Sequence, residues 1–181
     1  MLNVVKSLRA LGKDKALARL PAALHRYLQE RILPSSWYPE EDHLALLRVL
    51  GELLKAASPD LGEDVFGWMG RAGAQTDMAS VYANVMAGTT PETALRRGAT
   101  WWQSYHDTGS AQVKVVRPGK GRLELTGYAL PSPELCRTLQ GWLGGFLAAG
   151  GAGDVSIAEK ACRTRGAPSC VWDIEWSESG G

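Results

Sequence analysis

What this chain has little of narrows it first. Its 181 residues include three cysteines, three histidines and two phenylalanines. Three cysteines cannot all pair within one chain, which favours a reducing compartment and a metal-bound or free-thiol role over a disulfide framework. No apolar run approaches the roughly 20 residues that a membrane-crossing helix needs. Neither sign of charge is in excess, with 20 basic and 19 acidic side chains, so the electrostatic footprint of a nucleic-acid or anionic-membrane binder is missing. The opening Met1-Leu-Asn-Val-Val-Lys lacks a long apolar stretch and a small-residue cleavage site. The expectation is a chain without a secretory leader, at work in the cytoplasm. GxGxxG, the P-loop lysine motif, GxSxG and HExxH are all absent, so the sequence argues weakly for an enzyme. Neither an internal repeat nor a low-complexity linker is visible.

What is there suits one well-buried core: 45% hydrophobic and 22% charged residues, close to a soluble globular average. The first hundred residues read as helices. Val5, Leu8, Leu11 and Leu17 share one face of a basic amphipathic helix over Leu2 to Leu20. Pro21 suits the first turn of a second helix, through Leu33 and closed by Pro34. Pro39-Glu-Glu-Asp puts proline and three acids at the positive end of a third, which should run to about Ala57. Shorter helical stretches are expected over Glu63 to Arg71 and Ala79 to Met86. Thr90-Pro-Glu-Thr reads as an N-cap with a helix to about His106.

The pattern then changes to alternation. Ser110 to Arg117 and Leu123 to Leu130 read as a hairpin around Gly119-Lys-Gly121. Ser132-Pro-Glu-Leu starts another helix, with Leu135, Leu139, Trp142, Leu143 and Phe146 as its apolar stripe and Gly150-Gly-Ala-Gly as its end. Asp154 to Ala161 and Cys170 to Trp176 complete a ββαββ order around an Arg165-Gly-Ala-Pro turn. The expected fold class is α+β, N-terminal helices packed on a four-stranded antiparallel sheet. The expected organisation is a helical part over 1–75, a ligand-binding core over 76–177 and a frayed tail over 178–181.

Chemistry concentrates in the last third. Cys136, Cys162 and Cys170, with Glu159 three positions before the second, form a zinc-compatible donor set. Cys136 falls in the first turn of its helix, where the dipole lowers a thiol pKa and favours the thiolate a metal needs. Glu159 and Cys162 are an odd number of residues apart on one strand, so a bulge or an early strand end near Ala161 is required for both to face one site. Two alternatives stand beside zinc. The cysteines can be small buried hydrophobes, or Cys162 and Cys170 can form a cross-hairpin disulfide. An aromatic set, Trp101, Trp102, Tyr105, His106, Tyr128, Trp142 and Phe146, falls on elements expected to pack together. Apolar walls with a few polar tips suit small-molecule sites, and the same residues suit plain core packing. His25 and His43 fall in amphipathic helices with no catalytic partner in view.

The text Glu159-Lys-Ala-Cys162-Arg-Thr-Arg-Gly-Ala-Pro-Ser-Cys170-Val-Trp, with Cys136-Arg-Thr-Leu-Gln-Gly-Trp before it, resembles the 4-vinyl-reductase domain over Trp101 to Trp176. That domain occurs in chlorophyll-biosynthesis proteins and in the sensor halves of phenol- and xylene-responsive bacterial activators. It is distantly similar to TRAPP vesicle-tethering subunits. The resemblance implies a structural zinc held by Cys136, Glu159, Cys162 and Cys170, and a ligand pocket between sheet and helices. It also implies a bacterial, cytoplasmic, homodimeric module that senses or carries a small apolar or aromatic molecule and acts through self-association or a protein partner. A TRAPP-like structural adaptor and a tetrapyrrole-pathway enzyme are the alternatives. A haem-binding relative in the wider superfamily uses a proximal histidine with a Tyr-x-Ser-x-Arg motif, and that motif is absent here.

Overall fold

The computed structural model describes residues 1–80, 82 and 88–178. The expected helix over Ala79 to Met86 falls largely on residues 81 and 83–87, outside the described residues. The chain forms two compact units, Met1–Phe66 and Gly67–Gly181.

The first unit is helical. α1 (Leu2–Leu17) is interrupted at Gly12, whose φ of 135° no other residue type adopts cheaply. Its buried Val5 and Leu8 pack against α3 (Glu40–Ala57), whose Leu46, Leu47 and Leu50 are buried in turn. The helix expected from Pro21 to Leu33 is shorter. A 3₁₀ turn over Ala22–Leu24 leads into α2 (Arg26–Gln29), and Glu30 is already extended. Side chains compete for the backbone here: Arg9 Nη2 donates to the carbonyls of Tyr27 and Glu30, and the Tyr27 hydroxyl donates to Asp42 at 2.5 Å. α3 carries Glu40, Glu41 and Asp42 in its first turn and ends at Ala57, as the sequence predicts.

α4 (Val65–Met78) begins at the end of the first unit and continues in the second, where it is followed by α5 (Pro91–Thr100), with Thr90 as its N-cap accepting from the Thr93 N–H at 3.3 Å. The helix expected to reach His106 is interrupted at Trp101 and resumes as α6 (Trp102–Tyr105). The Trp102 indole donates to the carbonyl of Thr108 at 2.9 Å, which draws the chain around after α6. The sheet comprises β1 (Ser110–Arg117), β2 (Lys120–Thr126), β3 (Ala152–Ala161) and β4 (Cys170–Glu178), antiparallel throughout, in the order β1-β2-β4-β3. β2 ends at Thr126 rather than Leu130, because Gly127 takes a φ of 64° and Tyr128 turns inward to become buried. Glu178 still pairs with Ala152, while 179–181 lie outside the described residues.

The sheet has one apolar and one charged face. On β4, Cys170, Trp172, Ile174 and Trp176 are buried, and the intervening Asp173 and Glu175 face Arg122 and Lys120 across the ladder at 2.7 and 2.5 Å. α7 (Pro133–Ala149) packs on β3 and α5 on β1. Ser132 caps α7 by accepting from the Leu135 N–H at 3.1 Å. α7 also approaches α4 closely enough to require glycine. A Cβ on Gly141 would stand 2.0 Å from the Gly67 carbonyl oxygen, and one on Gly70 would stand 2.0 Å from that of Thr138. The α+β class and the ββαββ order read from the sequence are those of the structure.

Candidate functional site

Three elements bring the thiols together. Cys136 lies in the opening turn of α7, Cys162 follows β3 and Cys170 begins β4. Their sulfurs form a near-equilateral triangle, with Sγ separations of 3.7 Å (Cys136–Cys162), 3.8 Å (Cys136–Cys170) and 3.9 Å (Cys162–Cys170). All three are buried free thiols, so the cross-hairpin disulfide is not formed. Among the described residues, this is the group of three metal-ligating side chains whose donor atoms converge within 4.8 Å. The Cys162 sulfur also meets the Thr164 hydroxyl at 2.9 Å, and the Cys170 sulfur accepts from the Arg163 N–H at 3.3 Å. Burial pushes the Cys136 thiol well above its ordinary pKa, and the neighbouring Cys170 and Cys162 add to the rise. Burial likewise raises Cys170. The sequence expectation was the reverse. Desolvation and mutual repulsion outweigh the helix dipole at Cys136 and favour the neutral thiol there, as burial does at Cys170.

The bulge that the Glu159–Cys162 spacing requires is present: the β3–β4 register shifts between Glu159 and Ala161. Yet Glu159 does not complete the cluster. Its Oε2 accepts from Arg165 Nη1 at 2.8 Å, and its Oε1 is buried without a hydrogen-bond partner. Across the ladder, Trp172 is fully buried with its Nε1 also unpartnered.

The aromatic residues divide into two groups. In one, Trp102 stacks flat on His106 with ring centroids 3.9 Å apart, and Tyr128 meets both rings edge-on. In the other, Tyr82, Trp101, Phe146 and Trp142 form a row. Tyr82 stacks on Trp101 at 4.3 Å, Trp101 meets Phe146 edge-on at 5.6 Å, and Phe146 stacks on Trp142 at 4.8 Å. Phe146 is fully buried, while Trp101 and Trp142 are half-buried. Trp142 Nε1 donates to Asp77 Oδ2 at 3.2 Å. Tyr105 belongs to neither group, being 55% exposed. Sequence reasoning missed Tyr82 and Asp77. Tyr82 falls within the helical stretch expected over Ala79 to Met86 and Asp77 just before it, and no motif marked either side chain.

No family model matches the chain, and no curated protein matches it. Solved structures do. An H-NOX protein from S. oneidensis in the Fe(II)NO ligation state aligns over 98% of this chain and 97% of its own, at 15% identity and a TM-score of 0.68. An oxygen-binding H-NOX domain related to soluble guanylate cyclases aligns over 98% and 94%, at 15% identity and 0.66. A third, from work on haem distortion in the H-NOX family, aligns over 98% and 93%, at 13% identity and 0.67.

These likenesses correct two sequence expectations. The neighbours over nearly the whole chain are H-NOX proteins, so the resemblance to the 4-vinyl-reductase domain does not stand. The structural zinc falls with it. The prosthetic group the neighbours' descriptions name is haem, and the supposed fourth ligand, Glu159, is engaged by Arg165. At these identities the likeness establishes the fold: this chain has the fold of the H-NOX proteins.

Proposed function

We propose that the chain is a small-molecule-binding sensor module whose ligand is flat and apolar or aromatic. The carrying observation is the row from Tyr82 to Trp142. Its centre, Phe146, is sealed, while the flanking Trp101 and Trp142 keep part of their surface open, and Asp77 holds the Trp142 indole in place. A rigid aromatic wall with one polar anchor suits a planar ligand, because stacking needs an ordered partner and costs little side-chain entropy when the rings are already fixed. Trp102, His106 and Tyr128 supply a second aromatic face with a polar tip. The fold supports the sensing role by analogy, since solved proteins that share it include one described as oxygen-binding.

Signalling would pass to a protein partner or a second copy of the chain. Within the first unit the apolar face of α1 packs on α3, so self-association would use another surface. The structural-adaptor reading has one observation in its favour, the neighbouring Leu33 and Trp37, 46% and 64% exposed. A thermal-shift screen of phenols, fatty acids and metal-free tetrapyrroles separates the two. A sensor is stabilised by its ligand through mass action. An adaptor gains nothing from the screen and loses its partner when Trp37 is changed to Ser.

A further inference from the structure

We infer that this chain uses the H-NOX fold without a haem iron. An axial ligand to haem iron comes from histidine, cysteine thiolate, methionine or tyrosine. The described residues leave none of the three histidines placed for that task. His25 has its Nε2 3.0 Å from the carbonyls of both Leu17 and Leu20, a backbone bracket that occupies the atom a metal would need. His43 lies in the first turn of α3, directly after Glu40, Glu41 and Asp42, at a polar helix end. His106 lies flat against Trp102, 3.9 Å away, with the edge of Tyr128 5.5 Å off. That packing makes His106 a member of the aromatic group.

Several of the other donors are engaged as well. The three sulfurs face one another in the triangle at 3.7–3.9 Å. The Tyr27 hydroxyl donates to Asp42 at 2.5 Å, and that of Tyr38 brackets Leu33 through its N–H and carbonyl at 2.9 and 3.2 Å. Tyr128 is buried beneath the Trp102–His106 stack. Inside the second unit, the row Tyr82–Trp101–Phe146–Trp142 consists of two stacked ring pairs that meet edge-on, an aromatic centre supplied by the chain itself. The fold is thus kept while its coordination chemistry is replaced by stacking. This inference stands apart from the proposed ligand: a haem-free chain with no small-molecule ligand, and a haem-free chain with one, both satisfy it.

The test is spectroscopic. The full chain is expressed with a haem precursor in excess, and its Soret absorbance is measured after purification. Hemin and metal-free protoporphyrin are then titrated into the native protein and into His106→Ala, with circular dichroism to verify folding. The expected result is no stoichiometric haem on the purified chain. Any hemin taken up should bind no more tightly than protoporphyrin, with the same spectrum in His106→Ala. One haem per chain on purification, or a sharp Soret shift that disappears in folded His106→Ala, overturns the inference. A His25→Ala or His43→Ala variant that abolishes a Soret band overturns it equally.

Discussion

Trp142 donates its indole N–H to Asp77, 65 positions earlier in the chain, at 3.2 Å, and so fixes the ring that stacks on Phe146. One neutral-to-charged hydrogen bond orders the open end of the aromatic row. Trp142→Phe keeps the stack and removes the bond. It should cost about 1.5 kcal/mol of stability, the lower end of the range for a hydrogen bond to a charged group. Trp142→Ala removes half-buried ring surface as well and should cost roughly 2 kcal/mol, below the 3–5 of a fully buried aromatic. Urea unfolding of both variants checks the order.

The α4–α7 contact gives a sharper contrast on one helix. Gly141→Ala drives a methyl to 2.0 Å from the Gly67 carbonyl oxygen, and the helices must separate. The expected loss is roughly 1–3 kcal/mol, with weaker packing of the neighbouring Trp142. Gly144→Ala, three residues on, meets only Ile157 Cδ1 at 3.9 Å. There the gain in helix propensity should prevail, by about 0.5–1 kcal/mol. Equal destabilisation by both changes would contradict the close crossing.

The thiol triangle predicts an alkaline effect. Cys136 and Cys170 titrate higher folded than unfolded, because burial opposes the thiolate. A raised folded pKa contributes stability that is fully present below the unfolded value, about 8.5, and is lost as pH rises through the folded value. The melting temperature should therefore fall as pH climbs above that point. Cys136→Ala should flatten the fall, since it removes one titrating group and the repulsion it exerts on the others. Alkylation of the native protein near neutral pH should be slow compared with the unfolded chain. Rapid modification would show thiolates instead.

On the opposite face of the sheet the sign is reversed. The Arg122 guanidinium holds Asp173 below its ordinary pKa, and Lys120 does the same to Glu175. A depressed carboxylate stabilises above its unfolded pKa, and that contribution is lost as pH falls through the folded value. Asp173→Asn should flatten the acid limb of the stability profile by a small amount, because the pair is near the surface.

Much of this fold was legible because its signals are local. Pro39 with three acids, Thr90-Pro91 and Ser132-Pro133 announce helix starts, and Cys170, Trp172, Ile174 and Trp176 declare a one-sided strand by alternation. The convergence of Cys136, Cys162 and Cys170 was also legible, since a hairpin and a docked helix end suffice to bring them together. What sequence could not give was the outcome of competition. Arg9 takes the carbonyls that would have continued α2. Arg165 takes the carboxylate of Glu159 that the spacing assigned to the thiols. Tyr82 enters the aromatic row from outside any motif in the sequence. Each is a long-range or side-chain choice that no period records. The fold's H-NOX likeness was hidden for a related reason: at 13–15% identity too little sequence is shared for a local motif to mark a fold that covers nearly the whole chain.

The proposed function requires that the half-buried tryptophans form a binding wall as well as part of the core. The direct measurement is a tryptophan-fluorescence titration with a planar aromatic probe, 1-naphthol, on the native chain and on folded Trp142→Ala and Trp68→Ala. Trp68 is exposed on α4 and takes part in neither aromatic group, so it serves as the control. Saturable quenching is expected in the native protein and in Trp68→Ala, with binding weakened at least about tenfold, or about 1.4 kcal/mol, in Trp142→Ala. Quenching that never saturates, or the same affinity in all three proteins, would contradict it.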